Sequence, residues 1–426
     1  MNESESKSQP FRTTLATIAE LDFSELSSLE PETSIDVQLE TRSALESPID
    51  FPPLNAALIP GDVIAIALDA NVPSLASVLE AVCEFFHTSE AGEIHIIVSG
   101  EINPLVLSQL QEQLPIKATL TVHQTLRRES FRYLGPDAEG EAVYLNRWLV
   151  DADLVLPVVT SRPVNEHQTG DLTGIYPAFA DSTARHRHYQ RSKQTSHSSQ
   201  STNDAESTTG SDPIAGTPEE PAWLLGVQLA LCVTPNQSGE VAEIICGTID
   251  ALKKRKHPLL LGRNVDSPPT QPPRTTSTSD LVVVSLDGGQ SQQSWINVAR
   301  AAEAGTNHTT LGGTIVVWSS LQEPSHPTQA INLGASDTEQ SEPEEKPSDT
   351  KEDEDFLAWD ESIMALERLE KVSEDYQIIL HSKLPADQLE AVGLGCIESV
   401  EELKRLAMAF PTRAILRAAQ YCVPSE

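Results

Sequence analysis

The chain has 426 residues, room for two or three domains at about 150 residues each. Lys and Arg total 29 against 63 Asp and Glu, a formal net charge of −34. That argues against a nucleic-acid backbone binder, which needs cationic patches, and an anionic membrane surface would repel it. Hydrophobic residues make up 39% and aromatics 5%, low enough that part of the chain is expected to stay unfolded. No apolar run approaches the roughly 18 to 20 residues of a membrane span. The N-terminus, MNESESKSQP, has no basic n-region or apolar h-region. The five cysteines, Cys83, Cys232, Cys246, Cys396 and Cys422, are far apart and form no CxxC, which favours reduced thiols in a cytoplasm.

In chain order, residues 1–33 read as a disordered, Ser- and Glu-rich arm. An N-terminal α/β domain is expected over 34–262. In it VIAIALD is a buried strand, and PSLASVLEAVCEFFHT a helix with Leu75, Val78, Leu79, Val82 and Phe86 at helical spacing. EIHIIVSG is the second strand, PLVLSQLQEQL a helix and ATLTVHQ the third strand. VYLNRWLVDADLVLPVV couples a short helix to a fourth strand. Residues 181–221 are polar and expected to be a disordered insertion. A Pro/Ser/Thr-rich linker is expected over 263–280. The C-terminal α/β domain, 281–426, reads as the strand LVVVSLDGG, the helix SWINVARAAEAG and the strand GGTIVVWSS. An acidic disordered insertion at 336–355 follows, then FLAWDESIMALERLEKV as helix, YQIILHS as strand and VEELKRLAMAF as helix. The fold class is therefore α/β: two lobes with mostly parallel sheets and a cleft between them. Ligands of open α/β sheets bind beyond the carboxyl ends of strands, so the loops after Asp69, Gly100, Val159 and Asp287 are the candidate site.

Those loops carry a resemblance. ALIPGDVIAIALDANVP, IVSGEINP, YLGPDAEGEAVYLNRWLVDADLVLPV and LVVVSLDGG, taken in this order with the tail YQIILHSKLPADQLEAVGLGCIESVEELKRLA, resemble the nickel-pincer-nucleotide-dependent lactate racemase family. The similarity covers roughly residues 40–175 and 222–424, and the most specific part runs from Leu145, Asn146 and Arg147 to Asp151, Ala152 and Asp153. The resemblance implies a racemase or epimerase of 2-hydroxy acids such as lactate. In that family a nickel-carrying pyridinium nucleotide tethered to a lysine takes the hydride, two histidines move the hydroxyl proton, and cationic side chains hold the carboxylate. The physical logic is general: the cofactor must be oriented, the proton needs a base of near-neutral pKa, and a carboxylate suits a bidentate Arg.

Residue by residue, the sequence departs from the family pattern. In the first loop Asp69 persists and Asn71 follows it, but Val72 stands where the family has its substrate-holding Arg. In the second loop Gly100 persists, but Ile102 replaces an acid/base His. In the third, Gly170 and Gly174 match the family's glycines and His167 lies beside the histidine position, while Tyr176 replaces the tethering Lys. His186 and His188 fall near a family metal-ligand position, in a pattern more often a solvated basic patch. On the helix after Gly288 and Gly289, Asn297 and Arg300 occupy the family's Gln-x-x-Lys, at i, i+3 on one face. His123 matches a family His position and reads as a structural histidine.

The expected roles are then these. His167 and Asp69 are the candidate catalytic residues, and Asn71, Asn297 and Arg300 the substrate-binding ones. Gly100, Gly170, Gly174, Gly288 and Gly289 are the cofactor-approach positions. No metal ligand is assigned, and the cofactor is undetermined because the tethering lysine is missing. The partner expected is a small 2-hydroxy acid or another carboxylate, with neither nucleic acid nor membrane. Three functions compete: a degenerate lactate racemase-like protein with little or no racemase activity, which serves as a binding or scaffold protein; an active racemase or epimerase with a rearranged site; and a different enzyme on the same scaffold. No GxSxG, HExxH, GxxxxGK[ST] or strand-following GxGxxG is present.

Overall fold

The computed structural model describes residues 22–26, 29, 35–89, 91–98, 102–115, 117–125, 127–137, 139–161, 173–198, 220–254, 278–322 and 361–422. Runs that are apolar on both faces become the central strands of two parallel sheets. In the N-terminal lobe these are β2 (Val63–Leu68), β3 (Glu93–Val98), β7 (Leu154–Thr160) and β8 (Leu229–Pro235), with β4 (Ala118–Val122), polar and apolar in alternation, at one edge and β9 (Val241–Thr248) antiparallel at the other. Their order is β4-β3-β2-β7-β8-β9, so the chain reverses direction across the sheet between β2 and β7.

Helices α1 (Val37–Glu46), α2 (Leu54–Ala57), α3 (Leu75–Thr88) and α4 (Pro104–Gln113) cover one face of this sheet, where Leu45, Leu54, Val78, Phe86 and Leu110 meet Ile64, Ile96 and Leu231. The other face is covered by the antiparallel hairpin β5 (Phe131–Pro136) and β6 (Ala142–Asn146), by α5 (Arg147–Val150) and by the segment around Tyr176 and Phe179. The hairpin was not anticipated. Its inward residues, Val143 and Leu145, are few and interrupted by polar ones, so they read as part of the following helix.

Residues Ser182–Ser198 form helix α6, not the open insertion expected from 181 onward. The reason is electrostatic, which apolar periodicity does not register. Arg187 Nη2 donates to the Ala142 carbonyl at 2.9 Å, Arg191 pairs with Asp137 at 3.3 Å and with Glu139, and Ala184 is buried. Residues 199–219 lie outside the described residues. Helices α7 (Glu220–Leu224) and α8 (Ile249–Lys254) complete this lobe.

The C-terminal sheet has the order β1-β14-β10-β11-β12-β13, all parallel. It comprises β10 (Ser279–Ser285), β11 (Thr309–Trp318), β12 (Gln377–His381), β13 (Gly395–Cys396), β14 (Arg413–Leu416) and β1 (Ser24–Leu26). Helices α9 (Trp295–Thr306), α10 (Glu361–Ser373) and α11 (Ala386–Ala391) lie on one face and α12 (Val400–Ala407) on the other, a doubly wound arrangement. Here the winding reverses between β10 and β14.

Two expected boundaries move. Part of the arm expected to be disordered supplies β1, and Leu29 is buried, because the β14 edge offers it unpaired backbone groups. The linker expected to end at 280 ends earlier, since Ser279 and Asp280 already belong to β10. Residues 263–277 and the acidic insertion at 336–355 lie outside the described residues. No helix among the described residues is long and apolar enough to cross a membrane.

Candidate functional site

The carboxyl ends of the two sheets face each other, and four of the expected site residues meet there in one hydrogen-bonded line. Asp69 follows β2, and its Oδ1 accepts from the Asn71 backbone N–H at 2.9 Å and from Asn71 Nδ2 at 3.0 Å. Its Oδ2 accepts from the Thr160 N–H at 3.4 Å, which ties β2 to the end of β7. Asn71 Oδ1 in turn accepts from Asn297 Nδ2 of the other lobe at 2.6 Å. Asn297 Oδ1 accepts from Arg300 Nη1 at 3.0 Å, across one turn of α9. That helix starts where it does because Ser294 Oγ caps the Asn297 N–H at 3.4 Å, which puts Asn297 in the first turn, buried against the other lobe. The second Asn297 amide hydrogen goes to the Gln292 carbonyl at 2.8 Å.

The glycine pair builds a turn. Gly288 has φ +109°, which a side chain would strain, and the Gly289 N–H donates to Gln292 Oε1 at 2.8 Å. This aims Gln292 Nε2 at the Val72 carbonyl, 3.1 Å away in the other lobe. Gly288 and Gly289 therefore position Gln292. The Tyr421 hydroxyl donates to the Asn71 carbonyl at 3.0 Å, a third link between lobes. Gln292 and Tyr421 were missed by sequence reasoning. Gln292 could have been found as the polar residue three positions beyond a strand-following glycine pair; Tyr421, near the C-terminus, carried no signal.

Val72, Ile102 and Tyr176 are all buried. Val72 is fully enclosed and Ile102 nearly so, both in the core beneath α3. Tyr176 packs in the opposite core, edge-on to His188 at 5.5 Å between ring centroids, and its hydroxyl donates to the Ala184 carbonyl at 3.4 Å. Burial pushes its phenol pKa up. Gly174 has φ +66° and lies against Val159, within a turn before Tyr176. His123 is a structural histidine: Nε2 donates to the Ala180 carbonyl at 3.0 Å, and Nδ1 accepts from Asn146 Nδ2 at 3.1 Å. Burial lowers its pKa to about 4, a direction the positive charge of Arg185 reinforces. His167, Gly100 and Gly170 lie outside the described residues. Among the described residues, no group of three or more His, Cys, Asp or Glu side chains is arranged to hold a metal ion.

Two doubly wound lobes meeting at their strand ends, with a polar seam between them, define the class of this fold. No family model and no curated protein matches the chain. Solved structures do. The lactate racemase apoprotein from Thermoanaerobacterium thermosaccharolyticum is similar over 94% of this chain and 95% of its own, with a TM-score of 0.56 at 15% identity. A protein from Thermotoga maritima, solved as a structural-genomics target, is similar over 92% of this chain and 98% of its own, with a TM-score of 0.61 at 13% identity. At such identities the likeness establishes the fold: the chain is α/β with mostly parallel sheets, as in the lactate racemase apoprotein.

Proposed function

We propose that this chain is a lactate racemase-like protein that does not racemise 2-hydroxy acids, and that it serves as a non-catalytic binding or scaffold protein. The observation that carries this reading is the bond between Asn71 and Asn297. Two side chains suited to hold a substrate from opposite lobes hold each other instead. The buried Val72, Ile102 and Tyr176 support it. A valine holds no carboxylate, an isoleucine moves no proton, and a phenol engaged with Ala184 offers no amine. Among the described residues, those at the expected tether and acid/base positions do not fit a lysine-tethered nickel nucleotide.

The test is to co-express the chain with the enzymes that make the cofactor. The intact mass should equal that of the unmodified polypeptide, nickel should be far below one per chain, and lactate should keep its configuration. Nickel near one per chain with racemase turnover would overturn the reading. Arg300 stands half-buried at the seam, the one expected anion-holding cation that the seam retains. If the protein binds a small carboxylate, Arg300→Ala should weaken lactate or malate binding in isothermal titration by about 1.5 to 3 kcal/mol, the range for a hydrogen bond to a charged group.

A further inference from the structure

In an open α/β sheet the ligand crevice lies where the winding reverses, beyond the carboxyl ends of the two diverging strands. In the C-terminal lobe that place lies between β10 and β14, and the chain itself occupies it. Asp287, just past β10, laces the gap: its Oδ2 accepts from the Ser285 hydroxyl at 2.5 Å and from the Ala418 N–H, beyond β14, at 2.8 Å. Its carbonyl accepts from Gln420 Nε2 at 2.6 Å.

Over this lacing sits the turn between β8 and β9 of the other lobe. Asn236 shapes the turn by accepting from the Ser238 and Glu240 N–H groups at 2.9 and 3.1 Å. The turn presents Gly239 to the Asp287–Gly288 backbone so closely that a Cβ there would lie 2.5 Å from the Asp287 carbonyl carbon and 2.7 Å from the Gly288 nitrogen. Gly239 also has φ +69°, so glycine is required here twice over. Flanking bonds hold the turn in place: Arg417 Nη2 donates to Ser238 Oγ at 3.1 Å, and Gln237 Nε2 donates to the Leu29 carbonyl at 3.0 Å.

We propose that the 236–240 turn is a built-in plug of the C-terminal lobe's strand-end crevice, and that together with the Asn71–Asn297 bridge it holds the two lobes shut. The proposal goes beyond the absence of racemase activity and does not depend on it: racemase turnover would refute that reading and leave the plug standing.

The test compares wild type with Gly239→Val by small-angle scattering and by amide hydrogen exchange on the full chain. The Gly289 and Ala418 amides, which donate at the crevice, report the plug, and the Ile66 and Val283 amides in the central strands report each lobe's core. In wild type all four are protected. In Gly239→Val the radius of gyration should rise and Gly289 and Ala418 should exchange at least about tenfold faster, with Ile66 and Val283 unchanged. If Gly239→Val does not fold, the double variant Ser238→Ala with Asn71→Ala decides, since it deletes the cross-lobe bonds from Arg417 and Asn297 without adding bulk or touching Gln292. Faster exchange at Gly289 and Ala418 with protected cores supports the plug. Unchanged exchange in a folded variant, or unprotected crevice amides in wild type, overturns it.

Discussion

Replacing Asn297 by Ala removes three side-chain hydrogen bonds at once: to Asn71 Oδ1 at 2.6 Å, to the Gln292 carbonyl at 2.8 Å, and from Arg300 Nη1 at 3.0 Å. The Arg300 bond should cost little, because that half-buried guanidinium can turn to water. The bond to Gln292 is buried and the bond to Asn71 part-buried, and each contributes about 0.5 to 1.5 kcal/mol net. Leaving the Gln292 carbonyl without this donor adds a share of the roughly 1 to 3 kcal/mol penalty for an unmet buried group. The expected loss is about 2 to 4 kcal/mol. Urea denaturation measures it, and the companion Asn71→Ala isolates the bridge. The double variant should be less destabilised than the sum of the singles by about 1 kcal/mol, because the bridging bond can be lost only once. Additivity within about 0.3 kcal/mol, or a single-variant loss below about 0.5 kcal/mol, would refute the claim that the two lobes are joined through these amides.

The remaining predictions concern packing and titration. His123 is buried neutral with its pKa lowered to about 4 from 6.5, so the folded state binds fewer protons than the unfolded one between those values. Its neutral packing contributes fully above pH 6.5 and is lost as pH falls toward 4, about 3 kcal/mol in all. Urea midpoints at pH 7 and 4.5 should differ more for wild type than for His123→Gln, and equal differences would refute the assignment. Burial pushes the Cys83 and Cys246 thiols up to about 12, so in native protein at pH 8 both should resist iodoacetamide, and both should react in urea. Because α6 is anchored by ions, Arg191→Ala should speed amide exchange within 182–191, and high salt should do the same to wild type. A salt-insensitive helix would mean that packing of Ala184 alone holds it.

The central strands were legible because a both-faces-buried strand is nearly all apolar and rich in Val, Ile and Leu, as in 63–68 and 281–284. Helix α9 was legible from its apolar spacing, and that placed Asn297 and Arg300 on one face correctly. What escaped the sequence were elements whose stability lies in partners far along the chain. Helix α6 has almost no apolar face, and its anchors Asp137, Glu139 and Ala142 precede it by about 50 residues. Strand β1 spans three residues, so its pattern carries no period, and only the β14 edge makes it a strand. At the site, residue types indicated what Asn71 and Asn297 could hold, but not that they would reach each other. That depends on the closeness of the lobes, which Gly239 permits through a backbone contact invisible in composition.

The parallel pairing of Ser24 with Ala414 joins nearly opposite ends of the chain. At a synthesis rate of about 5 to 20 residues per second, the first strand emerges about 20 to 80 seconds before its partner. The N-terminal lobe, contiguous from Val37 to Lys254, can complete its sheet in that interval. The C-terminal sheet cannot, because β14, the partner of its edge strand, is not yet made. Closing that edge is a late event, and until it happens β14 offers an unsatisfied strand edge to any neighbouring chain. A ribosome-bound chain stalled beyond residue 254 should therefore protect β2 and β7 fully while leaving the amides of 24–26 exchanging freely.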